Sequence, residues 1–157
     1  MKFKLRQARP EEASLLTELA MRSKQSNGYD DEFMAQCRDE LTVTEKNLLA
    51  AEFWVAQAET NGNSVCGCVG LSVDESGNSA EVFSFFVDPA RKRMGIGRLL
   101  WQDLVTRAGN MGVKHLRLDA DPSAVAFYQT LGFEIVSYTP SGSIAGRTLP
   151  HMTITLM

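Results

Sequence analysis

Phe3-Lys4-Leu5-Arg6 alternates apolar and charged residues, the two-residue period of a half-buried strand. Pro10-Glu11-Glu12 then opens a helix, with proline near its first position and two acids in the first turn, where the helix dipole favours them. Leu15, Leu16, Leu19 and Ala20 form its apolar stripe, and Ser26-Asn27-Gly28 breaks it. Asp30 to Leu41 reads as a second helix with Phe33, Met34, Cys37 and Leu41 on one side, and Thr44 to Ala51 as a further short turn of helix. Phe53 to Ala58 and Val65 to Val73 read as strands around the turn Asn61-Gly62-Asn63. After a turn at Glu75-Ser76-Gly77-Asn78, Ala80 to Val87 is an apolar strand ended by Asp88-Pro89.

From Ile96 the apolar residues Leu99, Leu100, Leu104 and Ala108 recur at helical spacing, up to Gly109 and Gly112. His115 to Asp119 alternates as a strand. Asp121-Pro122 starts another helix, with Asp121 as cap and Val125, Phe127, Tyr128 and Leu131 along it, and Gly132 stops it. Phe133 to Tyr138 and Met152 to Leu156 are the last strands. The early strands predict an antiparallel meander, and the strand-helix-strand steps that follow need parallel neighbours. A mixed α/β domain of the α+β type, helices covering one sheet, is the architecture that satisfies both.

With 157 residues, the chain fits one domain, residues 1–157. Hydrophobic residues make up 44% and charged residues 22%, enough apolar material for a core. The net charge of -3 argues against a nucleic-acid surface, which is normally basic. No apolar run is long enough for a membrane span, and the N-terminus lacks a signal peptide's apolar block, so a cytoplasmic protein is expected. Cys37, Cys66 and Cys68 give no disulfide framework. On a regular strand Cys66 and Cys68 would share a face. With only His115 and His151 as histidines, no metal site is expected.

The richest chemistry lies in Asp88-Pro89-Ala90-Arg91-Lys92-Arg93-Met94-Gly95-Ile96-Gly97-Arg98, where a basic, glycine-containing loop leads from a strand into a helix. The first amides of a helix lack intrahelical acceptors and carry the positive end of its dipole. Glycine lets backbone approach a ligand, so this loop fits a phosphate or pyrophosphate. It is neither GxxxxGK[ST] nor GxGxxG, since Leu100 stands three residues after Gly97. Alone, it reads equally as a solvated basic run.

A second motif decides between these. Ala124 through Phe133 fits AxxFYxxxGF, and Lys92-Arg93-Met94-Gly95-Ile96-Gly97 fits [QR]xxGx[GA] except at its first position. With both motifs at family spacing, the chain resembles the GNAT superfamily of acyl-CoA-dependent N-acetyltransferases over essentially its whole length. The resemblance implies a mixed, mostly antiparallel sheet with helices on both faces and acetyl-CoA as co-substrate. It implies that Phe85, Phe86 and Val87 pair with the pantetheine arm like an added strand. Lys92, Arg93, Met94, Gly95, Ile96, Gly97 and Arg98 would hold the pyrophosphate, with Asp121, Ser123 and Phe127 bordering the cofactor. Lys92 stands where the family has Gln or Arg, Arg93 where Gly is common, and Asp121 where many relatives have Asn. Dimers are common on this fold, though no sequence feature here decides for a homodimer.

Acetyl transfer to an amine needs a deprotonated amine, donors for the oxyanion and a proton for the departing thiolate. Tyr128 is the expected acid, because a phenol of pKa roughly 10 stays protonated beside a thiol of roughly 8.5. Glu81, an acid in an apolar strand, is the expected base, on the face of Phe83, Phe85 and Val87, where burial would raise its pKa. A strand-start glutamate facing water is the plainer alternative, and Asp119 is a rival base. Tyr29, Asp30 and Phe33 place aromatics beside carboxylates, which suits a cationic amine. Arg147, in the loop after Ser141, offers a fork for a substrate carboxylate, although such a loop is equally read as a plain connection. The expected activity is direct transfer to a primary amine of a small molecule or peptide. A non-catalytic acyl-CoA sensor and a phosphate-binding protein unrelated to CoA are the alternatives.

Overall fold

The computed structural model describes residues 2–59 and 64–156; the expected turn at Asn61-Gly62-Asn63 lies outside them. The chain runs β1 (Phe3–Gln7), α1 (Ala13–Gln25), α2 (Asp31–Leu41), α3 (Glu45–Ala50), β2 (Glu52–Ala58), β3 (Val65–Val73) and β4 (Ser79–Val87). It continues with α4 (Ile96–Asn110), β5 (His115–Asp119), α5 (Val125–Leu131), β6 (Glu134–Pro140) and β7 (Thr148–Thr155). Short 3-10 turns precede α1, α4 and α5. Glu12 anchors the first of these by accepting from both terminal guanidinium nitrogens of Arg6, at 2.9 and 2.7 Å, and from the Arg9 amide at 2.8 Å.

One seven-stranded sheet has the order β1-β2-β3-β4-β5-β7-β6. Only β4 and β5 pair in parallel, joined by α4 as the crossover. The second strand-helix-strand step does not make neighbours: β7 inserts between β5 and β6, antiparallel to both. The late hairpin can pair on either side of β6, and local pattern holds no information on which.

The core is two clusters, one on each face of the sheet. Leu100 and Leu104 of α4 pack with Val69, Leu71 and Val82 on one face. Leu16 and Leu19 of α1 pack with Phe53, Val55 and Cys68 on the other. Leu15 is 47% exposed, unlike the rest of its expected stripe, because residues 16, 19 and 20 define a face that leaves position 15 off it. Buried Thr17 takes its place, accepting the Val43 amide at 2.9 Å and donating to the Ala13 carbonyl at 2.9 Å.

Gly67 decides how closely α4 approaches the sheet. A Cβ there would meet Ile96 Cγ2 at 2.9 Å, Leu100 Cδ1 at 3.1 Å and the Phe86 carbonyl oxygen at 3.2 Å. Cys66 and Cys68 do not share a face as a regular strand would have them. The β2–β3 register shifts between Ala56 and Gln57, so Cys66 joins the α4-side cluster and Cys68 the other. Burial pushes the Cys68 thiol up to about 12, which keeps it protonated.

Candidate active site

Two irregularities in β4 create the site. The first is a bulge. Phe83 faces Gly70 and Phe86 faces Cys68, so Ser84 and Phe85 together oppose Val69 alone, and Ser84 has φ 49. The extra residue inverts the alternation. Phe83 and Phe86 pack into the α1-side cluster, whereas Phe85 and Val87 turn to the α4 side. Glu81 therefore does not share a face with Phe85 and Val87, as strict alternation predicts. Its side chain is exposed, not buried, and makes no hydrogen bond among the described residues.

The second irregularity is a split. β4 pairs with β5 only over Ser79–Glu81, and among the described residues no strand neighbours the backbone edge of β4 beyond Glu81 on that side. The gap is a cavity of about 450 Å³ whose wall includes Glu81, Phe85, Asp119, Asp121, Tyr128 and Arg147.

α5 brings Tyr128 to this cavity. Its ring packs edge-on against Phe85, Phe127 and Phe133, with centroids 5.5 to 6.1 Å apart. The residue is only 8% exposed, yet its hydroxyl finds no hydrogen-bond partner among the described residues. Burial, with the Asp121 charge adding to it, holds this phenol well above its ordinary pKa, so it is a donor at neutral pH.

At the far end of β4, Asp88 caps the turn into α4 by accepting the Ala90 amide at 3.0 Å. Arg93 (φ 65) and Gly95 (φ 79) are both left-handed, separated by Met94. A residue in this conformation is commonly Gly, which accounts for Arg93 being the unusual choice there. The first intrahelical bond runs from the Leu99 amide to the Gly95 carbonyl at 3.0 Å. The amides of residues 92–98 have no acceptor among the described residues. Such consecutive free amides form an anion-binding concavity. Gly95 has open space at its missing side chain. Gly97 does not: its gap is filled by Phe127 Cζ, 3.2 Å from a notional Cβ, so that glycine serves the packing of α5 on α4. Lys92, Arg93, Met94 and Arg98 are exposed around the loop.

The opposite side of the cavity is roofed by residues far apart in sequence. Asp121 caps the turn before α5, accepting the Ser123 amide at 3.1 Å and the Ser123 hydroxyl. It also accepts the Tyr29 phenol at 2.9 Å and the Arg147 guanidinium at 3.2 Å, and pairs with Lys24 Nζ at 3.4 Å. Burial alone would raise the Asp121 pKa, but the bonds from Ser123 and Tyr29 and the Lys24 charge outweigh it and hold the carboxyl low. Tyr29 stacks on Phe33 with centroids 4.2 Å apart, and Arg147 lies over both rings at 5.2 and 4.9 Å.

Of the residues expected around the acceptor, Tyr29, Phe33 and Arg147 meet here. Asp30 does not: it is exposed and caps α2, accepting the Phe33 amide at 2.8 Å. Asp121, expected beside the cofactor, is the hub of this roof. Lys24 escaped the sequence reading because nothing local separates it from the polar face of α1. So did Glu40, on the cavity wall and hydrogen-bonded by the Ser143 hydroxyl. No cluster of three or more His, Cys, Asp or Glu side chains placed to hold a metal occurs among the described residues. No helix among them is long and apolar enough to cross a membrane.

Comparison with known proteins agrees with this geometry. The chain is 33% identical over 110 residues to human N-acetyltransferase 8, covering 64% of this chain and 47% of that protein. It is 36% identical over 55 residues to serotonin N-acetyltransferase 2, chloroplastic, of Oryza sativa subsp. japonica, covering 35% of this chain and 28% of that one. It thus spans less than half the length of these two curated relatives. In fold it is similar to PaiA N-acetyltransferase from Thermoplasma acidophilum, solved in complex with coenzyme A, with a TM-score of 0.77, 18% identity and 99% of each chain covered. The pattern that defines the Acetyltransferase (GNAT) family matches residues 15–133, from α1 to the end of the AxxFYxxxGF segment, and the chain belongs to that family.

Proposed function

We propose that this chain, acting as one domain over residues 1–157, is an N-acetyltransferase that moves an acetyl group directly from acetyl-CoA to a primary amine of a small molecule or peptide. One observation carries this reading. The free Tyr128 hydroxyl of α5 and the unpaired edge of β4 share one cavity, and β4 runs on into the open amides of residues 92–98. Together they offer a proton donor at one end and an anion cradle at the other.

Acetyl-CoA is a substrate here, and it supplies an acyl carbon activated as a thioester. The β4 edge at Phe85 to Val87 suits the amide-containing arm as an added strand, and the loop at Lys92 to Arg98 suits the diphosphate. Phe127 packs against Gly97 and Phe85 behind these two elements, and Ser123 stands on the cavity wall, bound to Asp121. Tyr128 gives its proton to the departing sulfur. Glu81 and Asp119 bring negative charge to the wall where a cationic amine would sit, and Arg147, packed on the Tyr29 and Phe33 rings, closes its other side. Arg147 keeps guanidinium donors beyond those used on Tyr29 and Asp121, which suits an acceptor that also carries a carboxylate. The three free cysteines agree with work in the reducing cytoplasm.

Calorimetric titration with CoA and acetyl-CoA, followed by thiol release over a panel of primary amines, tests the reading. Micromolar binding and thiol release with at least one amine are expected. Binding no tighter than millimolar overturns CoA as the ligand. Tight binding without thiol release from any amine overturns catalysis in favour of a CoA-binding module.

A further inference from the structure

Asp119 stands on the cavity wall at the end of β5, and the hydrogen bonds it receives converge on one oxygen. Thr139 Oγ1 donates to Oδ1 at 3.0 Å, and His151 Nδ1 lies 2.8 Å from the same atom. An ionised carboxylate only accepts, so Nδ1 carries the hydrogen, and in the neutral ring Nε2 is left as a bare acceptor. Oδ2 has no hydrogen-bond partner among the described residues. Asp119 and His151 are direct cross-strand partners and share a face of the sheet. Leu149, two residues before His151 on β7 and so on the same face, lines the cavity with Asp119. The strand residue opposite His151 on β6 is Ser137, which does not titrate. The charged neighbours on these strands are Asp119 itself, Arg117 held by Asp74 at 2.8 and 2.9 Å, and Glu134 opposite Thr153.

Resting on the acetyl-transfer reading, we propose that Asp119 and His151 form the proton-accepting pair for the amine, in place of Glu81. His151 Nε2, on the side of the ring away from Asp119, takes one proton from the acceptor ammonium, while Asp119 Oδ1 holds the Nδ1 hydrogen and balances the imidazolium charge. The freed lone pair forms the C–N bond as the C–S bond breaks. The remaining surplus proton on nitrogen replaces the one Tyr128 gives to sulfur, and His151 releases its proton to solvent. Glu81 is exposed and unbonded. The imidazole is the side chain whose ordinary titration falls in the physiological range, and Asp119 fixes its tautomer.

The test follows thiol release against pH under conditions first order in the acceptor, with the primary amine of the panel that reacts fastest as the probe. His151→Gln is expected to lose about 100-fold in kcat/KM at neutral pH, in the range of general base catalysis, with acetyl-CoA affinity unchanged. That loss shrinks as pH rises toward the amine's own pKa, roughly 10, where no base is needed. In the wild type kcat/KM falls on the acid side as the base is protonated, and Glu81→Gln raises KM for the amine but keeps this acid limb. Asp119→Asn removes the limb as His151→Gln does, and serves if the histidine variant fails to bind acetyl-CoA. A limb that survives in both, or that disappears in Glu81→Gln, overturns the pair. Nitrogen NMR of His151 decides independently of any acceptor: a proton on Nδ1 and none on Nε2 near neutrality is required, and the opposite tautomer overturns the proposal. Wild-type protein that binds acetyl-CoA yet releases no thiol with any amine counts instead against acetyl transfer itself.

Discussion

The phenol of Tyr29 donates to the carboxylate of Asp121 at 2.9 Å across 92 residues of sequence. Arg147 in turn donates to the Tyr29 oxygen at 2.6 Å, so the end of α1, the start of α2, the turn before α5 and the β6–β7 loop are held at one point. Two cations share one carboxylate there. Removing that carboxylate leaves both cations near each other in a half-buried place.

Asp121 is held below its ordinary carboxyl pKa by its donors, so its contribution to stability has a defined sign. The contribution is complete above the unfolded value of roughly 4 and is lost as pH falls through the lower folded value. Asp121→Asn is expected to lower stability by about 1–2 kcal/mol at pH 7. The difference from wild type shrinks as pH is lowered below roughly 4. Thermal melts of both proteins from pH 7 to pH 3 show this. Parallel curves throughout would mean that the carboxylate is not linked to folding.

Tyr128→Phe keeps the edge-on ring contacts and removes only the unpartnered hydroxyl. Turnover is expected to fall about 100-fold or more, with the acetyl-CoA dissociation constant within twofold of wild type. Steady-state thiol release and calorimetry measure the two quantities separately. Unchanged kcat across the pH range removes this residue as the acid.

Gly67→Ala pushes a methyl group into Ile96 at a distance that real side chains essentially never show, and into Leu100 at a tight one. A loss of about 1–3 kcal/mol in urea unfolding is expected, the usual cost of overpacking. Because Ile96 begins α4, the loop before it moves as well, and CoA affinity falls together with stability. Unaltered CoA affinity in a destabilised variant would separate the loop's position from the helix that follows it.

Ser84 occupies the left-handed region at φ 49 in the β4 bulge. Ser84→Val puts a β-branched residue where it is strongly disfavoured, at a cost of about 1–2 kcal/mol. Ser84→Gly relieves the same strain and is expected to be neutral or stabilising. Chemical denaturation of the two variants gives opposite signs if the bulge persists in solution, and equal signs if it does not.

Helices, strands and their ends were readable because each has a local cause: the proline at the start of a turn, the Asp30 and Asp121 caps, and Gly132 at φ 108. The anion loop and the Tyr128 helix were readable for the same reason, as contiguous motifs. What escaped was register. A bulge at Ser84 reverses which face Phe85 occupies, and another at Cys66 parts two cysteines that strict alternation would join. Neither has a residue signature, since bulges arise from how two strands settle against each other. The Asp119–His151 contact was hidden likewise, because it exists only once β7 is known to lie beside β5. Exposure of Glu81 follows from its place at the last paired rung before β4 and β5 part.

The late position of Arg147 has a bearing on biosynthesis. The stretch from α1 through α5 contains the loop of residues 92–98 and the tyrosine, whereas the roof waits for a guanidinium that is synthesised after both. A nascent chain halted just after α5 would lack β7, which separates β5 from β6, and with it His151. Such a fragment would have one half of the cavity built and the other open to water.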